Sequence, residues 1–250
     1  MKVNKKEIIE AKIIQNQGII QIADIVAEGI SKQYAIKYLQ DRNCERVAKG
    51  VYLAPDAWQD DLYIIFLQYK KIVYSHDTAL YLLELSEREP ICFTVTVPRG
   101  YKVDYKGKSP LKKVTAIEER YSLGMDTAVT PYGHTVPCYN AERTLCDIFR
   151  TDTEMQEKQF AVKEYLNGKK NLPRLMEYAT IFHIKEKIKQ YMEVSDDVAE
   201  ALRASVRYEA ATILLITICK HFFSASQSLY PVQKDEPYFH RIIPNPAHGS

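Results

Sequence analysis

The chain lacks the features that announce a secreted, membrane or zinc-binding protein. Its five cysteines are odd in number, no two stand as CxxC, and no His lies at a zinc-ligand spacing to any pair. Cys44, Cys92, Cys138, Cys146 and Cys219 are therefore expected to be reduced, mostly buried thiols in a cytoplasmic protein. The opening MKVNKKEIIEAKIIQ is charged throughout and has no apolar signal-peptide core. The most apolar run, Ala211–Ala225, contains Lys220 and His221. It falls short of the ~20 apolar residues of a membrane span, so no membrane is expected as a partner. Net charge is small as well, at +2, and any basic surface must be local.

Signatures of common nucleic-acid enzymes are also missing. The only Glu-x-Lys, Glu10-Ala11-Lys12, has no preceding Asp of the kind restriction-type nucleases use. The Gly-Ser of a nucleotidyltransferase site occurs only at Gly249-Ser250, and no Gly-rich phosphate loop is present. Ser75-His76-Asp77 imitates a triad in order alone. Three consecutive residues cannot form that relay, and Ser75 and Asp77 are better placed as helix caps. Arg143 and Asp147 are spaced i, i+4 and should pair structurally. The expectation is a protein that is not an enzyme, with no catalytic residue, cofactor or metal.

What the sequence does contain begins at the N-terminus. Asn4 can cap a helix running to Asn16, and Gly18 breaks it. IQIADIVAEG reads as a second helix with Ile22, Ile25 and Val26 on one face and Gly29 at its stop. Ser31 caps a third, Lys32–Asp41, with Ala35, Ile36 and Leu39 inward and Gln33, Tyr34 and Lys37 opposite. CERVA and GVYLA then meet at a Lys49-Gly50 turn. Three helices and a two-stranded wing predict a winged helix-turn-helix. Its third helix would enter a major groove, and the wing would reach flanking phosphates. The candidate DNA-binding residues are Ser31, Lys32, Gln33, Tyr34, Lys37, Arg46 and Lys49.

Ala54-Pro55-Asp56 marks a boundary. Beyond it, helices are expected at Leu62–Lys70 and Ser75–Leu85, and a strand at Ile91–Pro98. Short strands should follow in KKVTAIE and on either side of a Pro131–His134 turn. Asn140 should cap AERTLCDIFR, with helices filling most of Glu154–Met192. The fold class is α+β: a winged helix-turn-helix, then an α+β domain with a small sheet and a helical C-terminal block. The expected divisions are 1–56, 57–193 and 194–250. Ser195–Ala225 reads as one or two more helices. Two separate cores joined by a Pro-containing segment should fold independently.

Three blocks carry a resemblance. GIIQIADIVAEGISKQYAIKYLQDRNCERVAKGVYLAPD, YSHDTALYLLELSEREPICFTVTVPRGYK and YGHTVPCYNAERTLCDIFR resemble, in that order, the AbiEi family of abortive-infection antitoxins and transcriptional regulators. The resemblance covers about Lys5 to Glu193. It implies a DNA-binding antitoxin of a type IV system. Such a protein represses its own operon at inverted repeats in the promoter and counters a cognate nucleotidyltransferase toxin, which it need not bind stably. It would act on operator DNA, with a homodimer as one arrangement there. Residues 194–250 depart from the pattern. The competing expectations are a nucleic-acid-acting enzyme that uses the winged helix for targeting, and a module whose winged helix binds protein.

Overall fold

A computed structural model of the chain describes residues 4–192, apart from Lys106 and Lys108. The helices expected over Ser195–Ala225, and Cys219 with them, lie outside the described residues. Asn4 accepts a hydrogen bond from the Lys6 N–H and opens α1 (Lys5–Gln15). Ile9 and Ile13, one turn apart, are buried, while Ile14 is exposed. The chain then turns through Gly18 at φ 86°, where an added Cβ would stand 2.2 Å from the Ala57 Cβ. Only glycine tolerates both conditions.

The next segment departs from its expected single helix. Ile19–Gln21 is a strand, β1, and α2 is confined to Ile22–Ala27. Val26, assigned to an inward face, is exposed. A three-residue strand is too short to show alternation, and pairing with Val51–Leu53 decides its state. After it, α3 (Lys32–Asp41) starts where Ser31 Oγ accepts the Tyr34 N–H. Its Ala35 and Leu39 are fully buried, and Ile36 is half-buried. Then come β2 (Glu45–Ala48) and β3 (Val51–Leu53), turning at Lys49-Gly50. The sheet order is β1-β3-β2, antiparallel throughout.

Both faces of this small sheet are covered. Ile20 and Tyr52 join the helical cluster of Ile9, Ile25, Ala35 and Leu39. Ile19, Val51 and Leu53 pack instead against Ile64 and Leu67 of α4 (Asp61–Gln68). The sequence alone suggests two separate cores, but this shared cluster joins them. A polar contact joins them too. Asp60 is buried; one carboxylate oxygen caps α4 at the Tyr63 N–H. The other accepts from Thr130 and from His134 Nδ1 at 2.8 Å. His134 Nε2 lies 3.3 Å from the Asn16 carbonyl at the end of α1, and Tyr63 stacks on the imidazole at 4.2 Å.

The rest of the described chain is α+β. In order it contains β4 (Val73–Tyr74), α5 (His76–Leu82), β5 (Phe93–Pro98) and β6 (Leu111–Ala116). It continues with α6 (Glu118–Ser122), β7 (Met125–Val129), β8 (Thr135–Tyr139), α7 (Ala141–Phe149), α8 (Met155–Asn167) and α9 (Leu172–Ile181). Residues 185–192 are helical. The five-stranded sheet runs β6-β5-β4-β8-β7, with β5–β6 and β4–β8 parallel. One side-chain cluster centres on this sheet with α4 and α5, and a second packs α7, α8 and α9 together. The two-residue β4 and five-residue α6 were not expected from the sequence. Ser75 stands at the N-cap of α5, but its side chain makes no capping bond; Thr96 donates to it instead.

Asn140 caps α7 as expected, accepting the Arg143 N–H. Every residue of α7 from Glu142 to Phe149 is buried, including three charged ones. Asp147 pairs with Arg143 at 3.0 Å, the expected i, i+4 contact. Glu142 accepts from the Tyr165 hydroxyl at 3.0 Å. Gly124, at φ 76°, lets the chain pass so close to Arg143 that an added Cβ would lie 2.6 Å from the Arg143 Cβ.

Candidate functional site

α3 is held to α1 by its own side chains. Glu10 of α1 accepts from the Tyr38 hydroxyl and from Arg42 Nη1, the latter at 2.9 Å. The hydrogen bond to Glu10, followed by burial, pushes the Tyr38 phenol up to about 12. Tyr34 stacks on Tyr38 at 6.5 Å, and the Lys5 ammonium lies 5.6 Å from the Tyr34 ring centroid. Tyr34 is therefore half-buried on the α1 side of the helix. Lys32, Gln33 and Lys37 of the same helix are exposed. Ser31 acts on the backbone as the N-cap.

Arg46 and Lys49 are exposed on the β2–β3 hairpin. Arg46 Nε reaches the Ala48 carbonyl at 3.4 Å, which folds the side chain back along its strand. Gly50 takes φ 74° at the tip. Lys32, Ile36, Arg46 and Lys49 all line one cleft of about 700 Å³. Gln21 and Tyr52 contribute to its walls, and the C-terminal end of α4 closes it with Gln68 and Tyr69. Gln33 and Lys37 are not among its lining residues.

Among the described residues, none of Lys32, Lys37, Arg46 and Lys49 forms an ion pair with a carboxylate. The cleft therefore offers uncompensated positive charge from two elements, Lys32 of α3 and Arg46 and Lys49 of the hairpin. Lys70, just past the cleft, differs: its ammonium lies over the Phe66 ring at 4.6 Å, and burial lowers its pKa.

The structure thus brings Lys32, Arg46 and Lys49 together and leaves Gln33 and Lys37 exposed on the same helix. Tyr34 is turned toward α1. Sequence reasoning missed Gln21, Gln68 and Tyr69. Gln21 ends a strand that pairing alone reveals, and the α4 residues belong to a segment read as a separate core. Among the described residues, no group of three or more His, Cys, Asp or Glu side chains is arranged to hold a metal ion. Nor is any described helix long and apolar enough to cross a membrane.

No protein-family model matches the chain, and no curated protein matches it. Among solved structures, it is similar to the crystal structure of RV2827C protein from Mycobacterium tuberculosis. That similarity covers 69% of this chain and 70% of that one, at 12% identity and a TM-score of 0.47.

Proposed function

We propose that the N-terminal segment is a winged helix-turn-helix that binds duplex DNA, with α3 as the recognition helix and the β2–β3 hairpin as the wing. The observation that carries this reading is the convergence of Lys32, Arg46 and Lys49 on one cleft, none of them paired with a carboxylate. α3 has 10 residues, so it is about 15 Å long and presents roughly three turns to a groove about 12 Å wide. Gln33 and Lys37 would face base edges. Arg46 and Lys49 would sit on flanking phosphates, which position the protein without reading sequence.

Together with the AbiEi resemblance of its sequence blocks, this supports a DNA-binding antitoxin that represses its own operon and counters a nucleotidyltransferase toxin. One winged helix offers a small interface, so two copies on an inverted repeat fit this role better than one.

The test is a gel shift on the native promoter across a salt series. Lys49→Ala should weaken binding to every sequence and reduce the salt slope by about 0.9. Gln33→Ala should relax discrimination between sites, by about 1–3 kcal/mol for a bidentate contact. Parental binding by both variants would remove α3 and the hairpin from the interface. Magnesium-dependent cleavage of the probe would shift the reading to an enzyme targeted by its winged helix.

A further inference from the structure

A second charged cavity lies at the β6 edge of the five-stranded sheet, among β6, α6 and α7. Its volume is about 320 Å³. That is near the lower end of the range for small-molecule sites, roughly 300–1,000 Å³. Lys112 of β6, Arg120 of α6, and Arg143 and Arg150 of α7 and its C-terminal end all line it. Asp147 is the one carboxylate among the lining residues, and it is already engaged. It accepts from Arg143 Nε at 3.0 Å and from Arg150 Nη1 at 3.4 Å. The neighbouring Glu118 and Glu119 are exposed and do not line the cavity. Among the described residues, the Lys112 and Arg120 side chains have no carboxylate partner.

The guanidinium groups are held in place. Arg143 is buried, and its Nη1 donates to the carbonyls of Arg120 and Leu123. Its guanidinium lies over the Tyr139 ring at 4.3 Å and the Phe182 ring at 4.6 Å. Arg150 and Arg120 approach the same Phe182 ring at 4.5 Å and 5.7 Å. Three arginines are thus gathered around one aromatic ring with a single counter-charge between them. Like charges repel strongly in partly desolvated surroundings, so this arrangement suits an anion that completes it. Among the described residues, Arg143 Nη2 has no hydrogen-bond partner.

His76 adds a polar wall by an unusual backbone. It has φ 53°, the left-handed region that residues with a Cβ seldom occupy. Its Nδ1 lies 3.0 Å from Ser75 Oγ, which accepts in turn from Thr96 Oγ1 at 2.9 Å. Among the described residues, His76 Nε2 has no hydrogen-bond partner. The hydroxyl-bearing Thr115 and Thr151 also line the space.

We infer that this cavity binds the phosphate group of a small phosphate monoester. A phosphate carries close to two charges and presents several acceptor oxygens, which planar guanidinium forks match in pairs. One carboxylate ligand would leave most of the charge surplus uncompensated. The remaining volume, bordered by Val114, Ala116 and Ile117, gives room for a small organic group beyond the phosphate. This site is separate from the α3–hairpin cleft, and the inference does not rest on DNA binding.

The experiment is calorimetric titration of the full chain with inorganic phosphate, adenosine monophosphate, glycerol phosphate and uncharged adenosine. The phosphate-bearing compounds should bind and adenosine should not. Lys112→Ala and Arg150→Ala should each lower affinity about tenfold, the worth of one charge-assisted contact. Both side chains are exposed, so these variants should fold, and the Lys49→Ala variant should bind phosphate like the parent. Equal affinity for inorganic phosphate and the esters would identify free phosphate as the source. Tighter binding of the esters would identify a phosphorylated metabolite, and either result supports the site. Absence of binding at millimolar concentration would overturn it. So would parental affinity in both cavity variants, or loss of binding in Lys49→Ala.

Discussion

Tyr38 shows how one side chain ties the proposed recognition helix to the body of the protein. Its hydroxyl donates to Glu10, and this bond, with burial, raises its pKa to about 12 from the ordinary 10.0. Below pH 10 the phenol is protonated in both folded and unfolded chains, and the contribution to stability is complete. Between about 10 and 12 the unfolded chain ionises first and binds fewer protons, so stability falls as pH rises. Tyr38→Phe removes this dependence. Urea unfolding at stepped pH should therefore show the parent losing more stability than Tyr38→Phe above pH 10; parallel curves would remove the bond to Glu10. The thiols behave in keeping with their burial. Burial pushes Cys146 up to about 12, and it raises Cys44 and Cys138 as well. Such thiols stay protonated and unreactive at neutral pH.

At the scale of elements, α7 is the clearest case of a helix whose polar side is as buried as its apolar side. Leu145, Ile148 and Phe149 face the helical cluster, while Arg143 and Asp147 are almost fully enclosed. Removing one partner leaves the other charge buried without a counter-ion, at a cost of about 3–5 kcal/mol. Asp147→Ala should lose stability on that scale in urea unfolding at neutral pH. Glu118→Ala, at an exposed position, should change it by no more than about 0.5 kcal/mol. Equal effects would mean that the Arg143–Asp147 pair is not enclosed. This pair was legible in the sequence because both residues lie on one helix at a fixed spacing. The Ser31 and Asn140 caps and the Lys49-Gly50 turn were legible for the same local reason. β1 and β4 were not: two or three residues carry no period, and partners elsewhere in the chain decide their state. The cavity at the β6 edge was hidden more deeply, because Lys112, Arg120 and Arg143 converge only after β6, α6 and α7 have packed.

At the scale of the whole described region, the α4 contact is the main join. Ile64 and Leu67 cover the outward face of β1 and β3. Leu67→Ala would leave a cavity there and cost about 2–5 kcal/mol. Because the cluster is shared, the loss should appear as weakened amide hydrogen-exchange protection in β1 and β3 as well as in α4. Weakening confined to α4 would show that the two halves stand independently. The connection Ala54–Asp60 looked like a plain linker in sequence because its Pro-containing run gives no sign of what flanks it. The Asp60, Thr130 and His134 contacts become visible only once residues 70 or more positions apart are in place.

The two-sided burial of the N-terminal sheet also bears on handling the protein in pieces. A fragment ending near Asp56 would keep its inner cluster but strip the cover from Ile19, Val51 and Leu53. These residues lie on paired strands, with β2 and β1 at the open edges of the sheet. An uncovered apolar face beside an unpaired strand edge is a template for self-association. Such a fragment would tend to clump or pair with its own copies in solution. Its apparent avidity for a DNA probe would then report stickiness rather than recognition.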